Sequence, residues 1–348
     1  MQIPGTPLPG TANIAAMRPF TPLAIGLLVP LLQACPVPEP IAEGEGEGEG
    51  EGEGEGEDLG CTPGAATGFP APSTSLTDPI GSDATLDIGA WNIRNFPRTN
   101  GTVATVASII ASMDLDLIAV EEMEDENAFN ELARRLPDHE GALSTHTYST
   151  GDYQKLGFLY RCGRLTPVGA PQLPFASDGF NFPRPPFQQR FRYQSGASDF
   201  EFTAIAVHFK ASEGNNDTQS SARRRTAFQQ LANYTDSLVQ GAGPDEVVIM
   251  GDFNERLDEP SGEVNWTPFL DESRYVVHSK PLSDRGEASF LSSTNAILDH
   301  IVTTRAFDDE VGTGTASIPR LEQEQAIPNY RNDVSDHRPI TLVMRGVE

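Results

Sequence analysis

"VVIMGDFNE", residues 247–255, begins as an apolar run and stops at once on a glycine, a carboxylate, an aromatic ring and an amide. Val247 to Met250 read as a buried strand, which sets Asp252 and Asn254 just beyond its end, two apart and facing the same way. A core strand that finishes on two such groups needs a partner for them, and the rest of the chain supplies candidates.

Five further segments end an apolar run on similar chemistry: "WNIRNF" (91–96), "DLIAVEEM" (116–123), "VHFK" (207–210), "LDHI" (298–301) and "SDHRPI" (335–340). They contribute Asn92, Glu121 or Glu122, His208, Asp299, Asp336 and His337. Amides, carboxylates and imidazoles are costly to bury alone, so these groups are expected to converge on one another or on a metal. The types suit phosphodiester hydrolysis, which calls for a cation against developing charge, a base for water and donors around the phosphoryl oxygens. Carboxylates are hard ligands for Mg²⁺, with Ca²⁺ or Mn²⁺ as substitutes. The six histidines are scattered and no HExxH occurs, which argues against zinc.

Between these ends the chain alternates strand and helix patterns. "TLDIGAWNI" (85–93) alternates as a strand, and "TVATVASIIASM" (102–113) carries Val103, Val106, Ala107 and Ile110 at helical spacing. "NAFNELARRL" (127–136) reads as a helix stopped by Pro137, and "SSARRRTAFQQLANYTDSLV" (220–239) as one capped by Ser220 or Ser221. "LGFLYR" (156–161), "FEFTAIAVHF" (200–209), "LDHIVTT" (298–304) and "ITLVM" (340–344) add strands. The pattern is that of a layered α/β domain beginning near Ala84.

These six segments, in this order over about residues 84–346, resemble the endonuclease/exonuclease/phosphatase superfamily, which contains DNase I. "GDFN" and "SDHRPI" carry most of the resemblance. It implies a four-layer α/β sandwich of two packed mixed β-sheets, with the site at one end. It further implies that Asn92, Glu122 and Asp336 bind metal, and that Asp252 and Asn254 hold the phosphate and second-metal region. Asp299 would orient His337, the acceptor of the attacking water's proton.

His208 and "WNIRNF" are more like the DNase I branch than the repair enzymes, and Arg94 and Arg184 become candidate phosphate contacts. One departure is Lys155 in "YQK", where DNase I has a glutamate that pairs with the first histidine. A lysine cannot orient an imidazole in that way. The remaining histidines, His139, His146, His278 and His300, read as structural or exposed. Arg223 to Arg225 read as a solvated helix face, and Phe180, Phe182 and Phe187 as loop packing.

The N-terminal part is of another kind. After Met17 and Arg18, "PFTPLAIGLLVPLLQAC" is too short and proline-broken to span a membrane and fits a secretory signal, with Met17 an alternative start. Its "LQAC" end resembles the lipobox of bacterial lipoproteins, which would make Cys35 a lipidated first residue after a signal peptide of residues 1–34. An ordinary signal peptide without the lipid is the alternative reading. "EGEGEGEGEGEGEGE" (43–57) has nothing to bury, so residues 35–60 are expected to be a disordered tether before a domain at 61–348. Export would place Cys61 and Cys162 in an oxidising compartment, as a candidate disulfide.

The formal net charge of −26 includes ten acidic residues between Glu39 and Asp58. From residue 61 onward, 40 acidic groups still face 23 basic ones, so a polyanion must be met by a local basic patch or by bound cations. The leading expectation is a monomeric nuclease on DNA or RNA, held at a bacterial cell envelope through its lipid or else periplasmic or secreted. A sphingomyelinase-like or sugar-phosphate phosphoesterase and an inactive binding module are the alternatives.

Overall fold

The computed structural model describes residues 68–147, 153–214, 217–259, 264–292, 296–312 and 314–345. Among these residues twelve strands form two six-stranded mixed sheets. The first contains β1 (Thr85–Phe96), β2 (Leu117–Met123), β3 (His139–Leu143), β4 (Lys155–Arg161), β11 (Thr315–Ser317) and β12 (Ile340–Arg345), in the order β11-β12-β1-β2-β4-β3. The second contains β5 (Leu165–Gln172), β6 (Phe187–Ser195), β7 (Ser198–His208), β8 (Val247–Asp252), β9 (Tyr275–Val277) and β10 (Asp299–Thr304), in the order β5-β6-β7-β8-β10-β9.

Each sheet has one parallel pair at its centre, β1 with β2 and β7 with β8. A parallel pair needs a crossover, and a helix provides each one: α1 (Thr102–Met113) and α3 (Thr218–Val239). The helix α2 (Glu126–Arg135) follows β2 and starts on Asp125, whose side chain accepts from the amides of Asn127 and Ala128. The cap of α3 is Asp217, which accepts from Ser220 N–H, so the helix begins earlier than the serines suggest.

Strand alternation sorts the apolar side chains into three cores. Leu86, Ile88 and Ala90 of β1 and Ala119 of β2 meet Ala204, Ala206, Val248, Met250 and Ile301 between the sheets. Trp91, Ile93, Ile118 and Val120 point outward onto α1 and α2. Ile205, Val207, Val247 and Ile249 do the same onto α3. Helix, sheet, sheet, helix is the four-layer sandwich expected from the sequence.

The layer above Ala90, Ala119, Ala206 and Met250 is where the alternation turns polar. Asn92 pairs with Glu121 across β1 and β2, and Asp252 pairs with His208 on one side and Asp299 on the other. Two positions beyond the last apolar layer, all five side chains point between the sheets. Gly251 makes this possible: its φ is +140°, and a Cβ there would stand 2.1 Å from Val207 O and 2.9 Å from Glu121 Oε1.

Candidate active site

The polar layer forms the floor of a cleft of about 690 Å³, lined among others by Arg94, Glu122, His208, Asp252, Asn254, Asp336 and His337. Asn92 is its hub, donating Nδ2 to Asp252 Oδ2 at 3.1 Å and to Glu122 Oε1 at 3.2 Å. Glu122 sits at a break in the β2 pairing with φ +63°, a conformation that costs about 1–3 kcal/mol for a residue with a Cβ. It is held there by Asn92 and by Asn95 N–H, which donates to Oε2 at 2.8 Å.

Asp299 Oδ2 lies 2.8 Å from His337 Nδ1, and His337 Nε2 faces Asp252 Oδ2 at 4.0 Å. The histidine is fixed from below through its backbone: Trp91 Nε1 donates to His337 O at 3.2 Å and Tyr330 Oη donates to the same oxygen. Ser335 ties this loop to β1, donating Oγ to Asn92 O at 2.6 Å and accepting from His337 N–H at 2.9 Å. Burial opposes a charge on His337, but Asp299, Asp252 and Asp336 outweigh it and push its pKa up to about 10.

His208 is the opposite case. Burial, then the charges of Arg184 and His337, hold it well below the usual imidazole value, so it is neutral. Its Nε2 is 3.5 Å from Asp252 Oδ2 and 3.9 Å from Glu122 Oε1, which are therefore polar contacts and not ion pairs. Asp252 is raised to about 7 by burial, with His337 pulling it down and Asp299 pushing it up. Glu121, fully buried, is raised well above the carboxylate range by burial and by Asp299, Asp252 and Glu122.

The donor set fits a hard cation. Asn92 Oδ1, both oxygens of Glu121, His208 Nδ1 and Asp299 Oδ1 are buried with no hydrogen-bond partner, a concentration of unmet oxygen and nitrogen in one layer. Asp252, Asp299 and His337 offer ligand atoms all within 4.8 Å of one another. Among the described residues that trio is the group so placed, and within it His337 Nδ1 lies 2.8 Å from Asp299 Oδ2.

The structure thus brings together Asn92, Glu122, His208, Asp252, Asn254, Asp299, Asp336 and His337. Asn254 has φ +50° and turns its Nδ2 to Phe209 O at 3.1 Å. Arg94 reaches Asp336 Oδ2 at 2.9 Å. Arg184 does not line the cleft and donates Nη2 to Phe209 O at 2.8 Å. Lys155 is bound to Glu126, so it is neither an orienting partner of His208 nor part of the cleft wall.

Arg224 is not on a solvated face. It is buried, 2.8 Å from Glu255 Oε2, and both residues line the cleft. Its helical spacing from Ala227, Phe228 and Leu231 was the signal for burial. Phe182 is packed in a loop as expected, Phe187 is buried as the first residue of β6 and not in a loop, and Phe180 is exposed. His139, His278 and His300 are buried and hydrogen-bonded away from the cleft chemistry. Cys162 is disulfide-bonded, while Cys61 and Cys35 lie outside the described residues.

Residues 89–337 match the Endonuclease/Exonuclease/phosphatase family, and the chain belongs to it. No curated protein matches the chain in sequence. Among solved structures, D. rerio TDP2 complexed with a single-strand DNA product is similar at a TM-score of 0.54 and 13% identity, over 75% of this chain and 99% of that one. The human Nocturnin catalytic domain with bound sulfate gives 0.55 and 17%, over 76% and 94%. A Bacteroides thetaiotaomicron mannosyl-6-phosphatase gives 0.53 and 13%, over 74% and 99%. At these identities the likeness is one of fold.

Proposed function

We propose that this protein is a metal-dependent phosphodiesterase acting on nucleic acid. The observation that carries this reading is the single polar layer in which Asn92, Asp252 and Glu122 are joined by hydrogen bonds and face the Asp299–His337 pair. Glu122, Asn92 and Asp336 would hold a divalent cation, Mg²⁺ first, whose charge offsets that of the phosphoryl oxygens. His337 Nε2 is the acceptor for the water proton in the ring's neutral form, after its own Nε2 proton has left to solvent, and a cation held at the neighbouring carboxylates would favour that form. Asp299 keeps Nδ1 protonated and the ring in place, and neutral His208 and Asn254 are donors for a phosphoryl group over the floor.

The cellular setting belongs to the same proposal: export, a lipid on Cys35 and a Glu-Gly tether would hold the domain at the cell envelope. The purified protein, incubated with single-stranded DNA, plasmid, RNA, sphingomyelin and mannose 6-phosphate, with Mg²⁺ or with chelator, tests the reading. Cleavage of a nucleic acid that chelator abolishes supports it. Metal-dependent turnover of sphingomyelin or of the sugar phosphate alone would move the protein to another substrate class.

A further inference from the structure

Phe180 is the one large aromatic exposed among the described residues, at 59% of its surface. Its exposure is built rather than incidental. Asp178 closes a tight turn beneath it, accepting from Asn181 N–H at 3.1 Å and Asn181 Nδ2 at 2.8 Å. Phe175 and Phe182 stack at 4.4 Å on either side of that turn, and Phe182 is buried against Phe209. The guanidinium of Arg223 lies 4.6 Å from the Phe180 ring centroid, and its Nε donates to Phe180 O at 2.6 Å. The ring therefore stands on a fixed turn, in contact with a cation and still open to solvent.

Its place matters as much as its form. Arg223 is on α3, and Ser221 and Arg224 beside it line the cleft. Among the described residues no carboxylate pairs with Arg223 or with Arg225, which holds Asn265 Oδ1 at 3.1 Å. In an acidic chain this is the local positive charge that a polyanion requires.

We propose that Phe180, seated on Arg223, is a stacking platform for a base of single-stranded nucleic acid whose scissile phosphate lies in the cleft. This rests on the nuclease reading above and deepens it. Every base has a π-face, so the subsite is tolerant of sequence but needs unstacked bases, and it favours single strands over duplex. A bilayer contact is the weaker fit, because a lone ring on a guanidinium lacks the apolar cluster that membrane insertion uses.

The test is binding, measured in chelator so that turnover plays no part. Fluorescence anisotropy of a labelled mixed-sequence single-stranded 12-mer should show Phe180→Ala raising Kd by about 5- to 150-fold. Phe180→Trp should keep Kd within about twofold, and its added emission should be quenched by the oligonucleotide, as stacking requires. Wild-type affinity in Phe180→Ala, no quench in Phe180→Trp, or no binding by the wild type would overturn the proposal. So would a blue shift of Phe180→Trp on phosphatidylcholine/phosphatidylglycerol vesicles without any response to the oligonucleotide. If the protein binds the strand through Phe180 but cleaves no nucleic acid with Mg²⁺, the platform stands and the nuclease reading falls.

Discussion

Asp299 Oδ2 sits 2.8 Å from His337 Nδ1 and, through the β8–β10 pairing, directly beside Asp252, so one carboxylate orients the imidazole while a second faces its other nitrogen. The pair is a charge relationship before it is a catalytic one. Against burial, Asp299 is the largest influence raising His337 to about 10. Replacing Asp299 with Asn should bring the imidazole pKa down toward the ordinary value near 6.5, read by NMR titration of the ring protons in chelator. An unchanged value would show that Asp299 does not govern the proton.

The same shift makes a stability statement. The folded pKa of His337 is above its unfolded value, so the stabilisation is full below about pH 6.5 and is lost as pH rises toward about 10. In chelator, denaturation midpoints of the wild type should fall over that window more steeply than those of His337→Ala. Parallel curves would contradict it.

Glu121 gives the opposite test. Burial, then Asp299, Asp252 and Glu122, raise its folded pKa well above 4.5, so it weakens the fold as pH climbs above its unfolded value. Glu121→Gln keeps the shape without the charge. In chelator near pH 8 it should raise Tm above that of the wild type, with the gain shrinking toward pH 4. A loss at pH 8 would show that the carboxylate is matched by a partner.

Gly251 and Gly196 separate a close approach from a turn. Both have positive φ, but a Cβ at 196 meets nothing within 4 Å, whereas one at 251 meets Val207 O at 2.1 Å. Gly196→Ala should cost about 1 kcal/mol, and Gly251→Ala clearly more, as read by urea denaturation. Equal costs would mean the β7–β8 backbone gives way easily.

How much of this could be read from the chain follows from where each element lies. α1 was legible residue for residue because its apolar spacing faces one sheet, and the apolar part of β8 because both its faces are covered, although the strand runs on to Asp252. β6, "FQQRFRYQS", was not, since the buried Gln188 and Gln189 interrupt the alternation that Phe187, Phe191 and Tyr193 keep. Pro167, Gly169 and Pro171 disguised β5, and β9 and β11 have only three residues each. β3, β5, β9 and β11 are the sheet edges, where burial demands least of the sequence.

The site was legible because strand ends carried groups that a core cannot otherwise accept. What escaped was set by the tertiary arrangement: the role of Ser335, the Arg224–Glu255 pair and the turn at Asn254, whose left-handed backbone breaks simple alternation. The lead segment is tested separately. Cys35→Ala should release the protein from membranes, and thiol labelling of the non-reduced protein should find neither Cys61 nor Cys162. A bridge closing a loop of about 100 residues contributes up to roughly 4.7 kcal/mol in the chain-entropy model.

The most direct measurement compares wild type, Glu122→Ala and His337→Ala in phosphodiester cleavage across a Mg²⁺ titration, with folding checked by circular dichroism. Glu122→Ala should recover part of its activity at high Mg²⁺, because a weakened site still fills by mass action. His337→Ala should stay about 10²- to 10⁴-fold slower at every Mg²⁺ concentration, because no cation replaces a proton acceptor. A folded His337→Ala protein that cleaves as fast as the wild type would contradict the assignment of His337 as the base, and with it the proposed chemistry of the site.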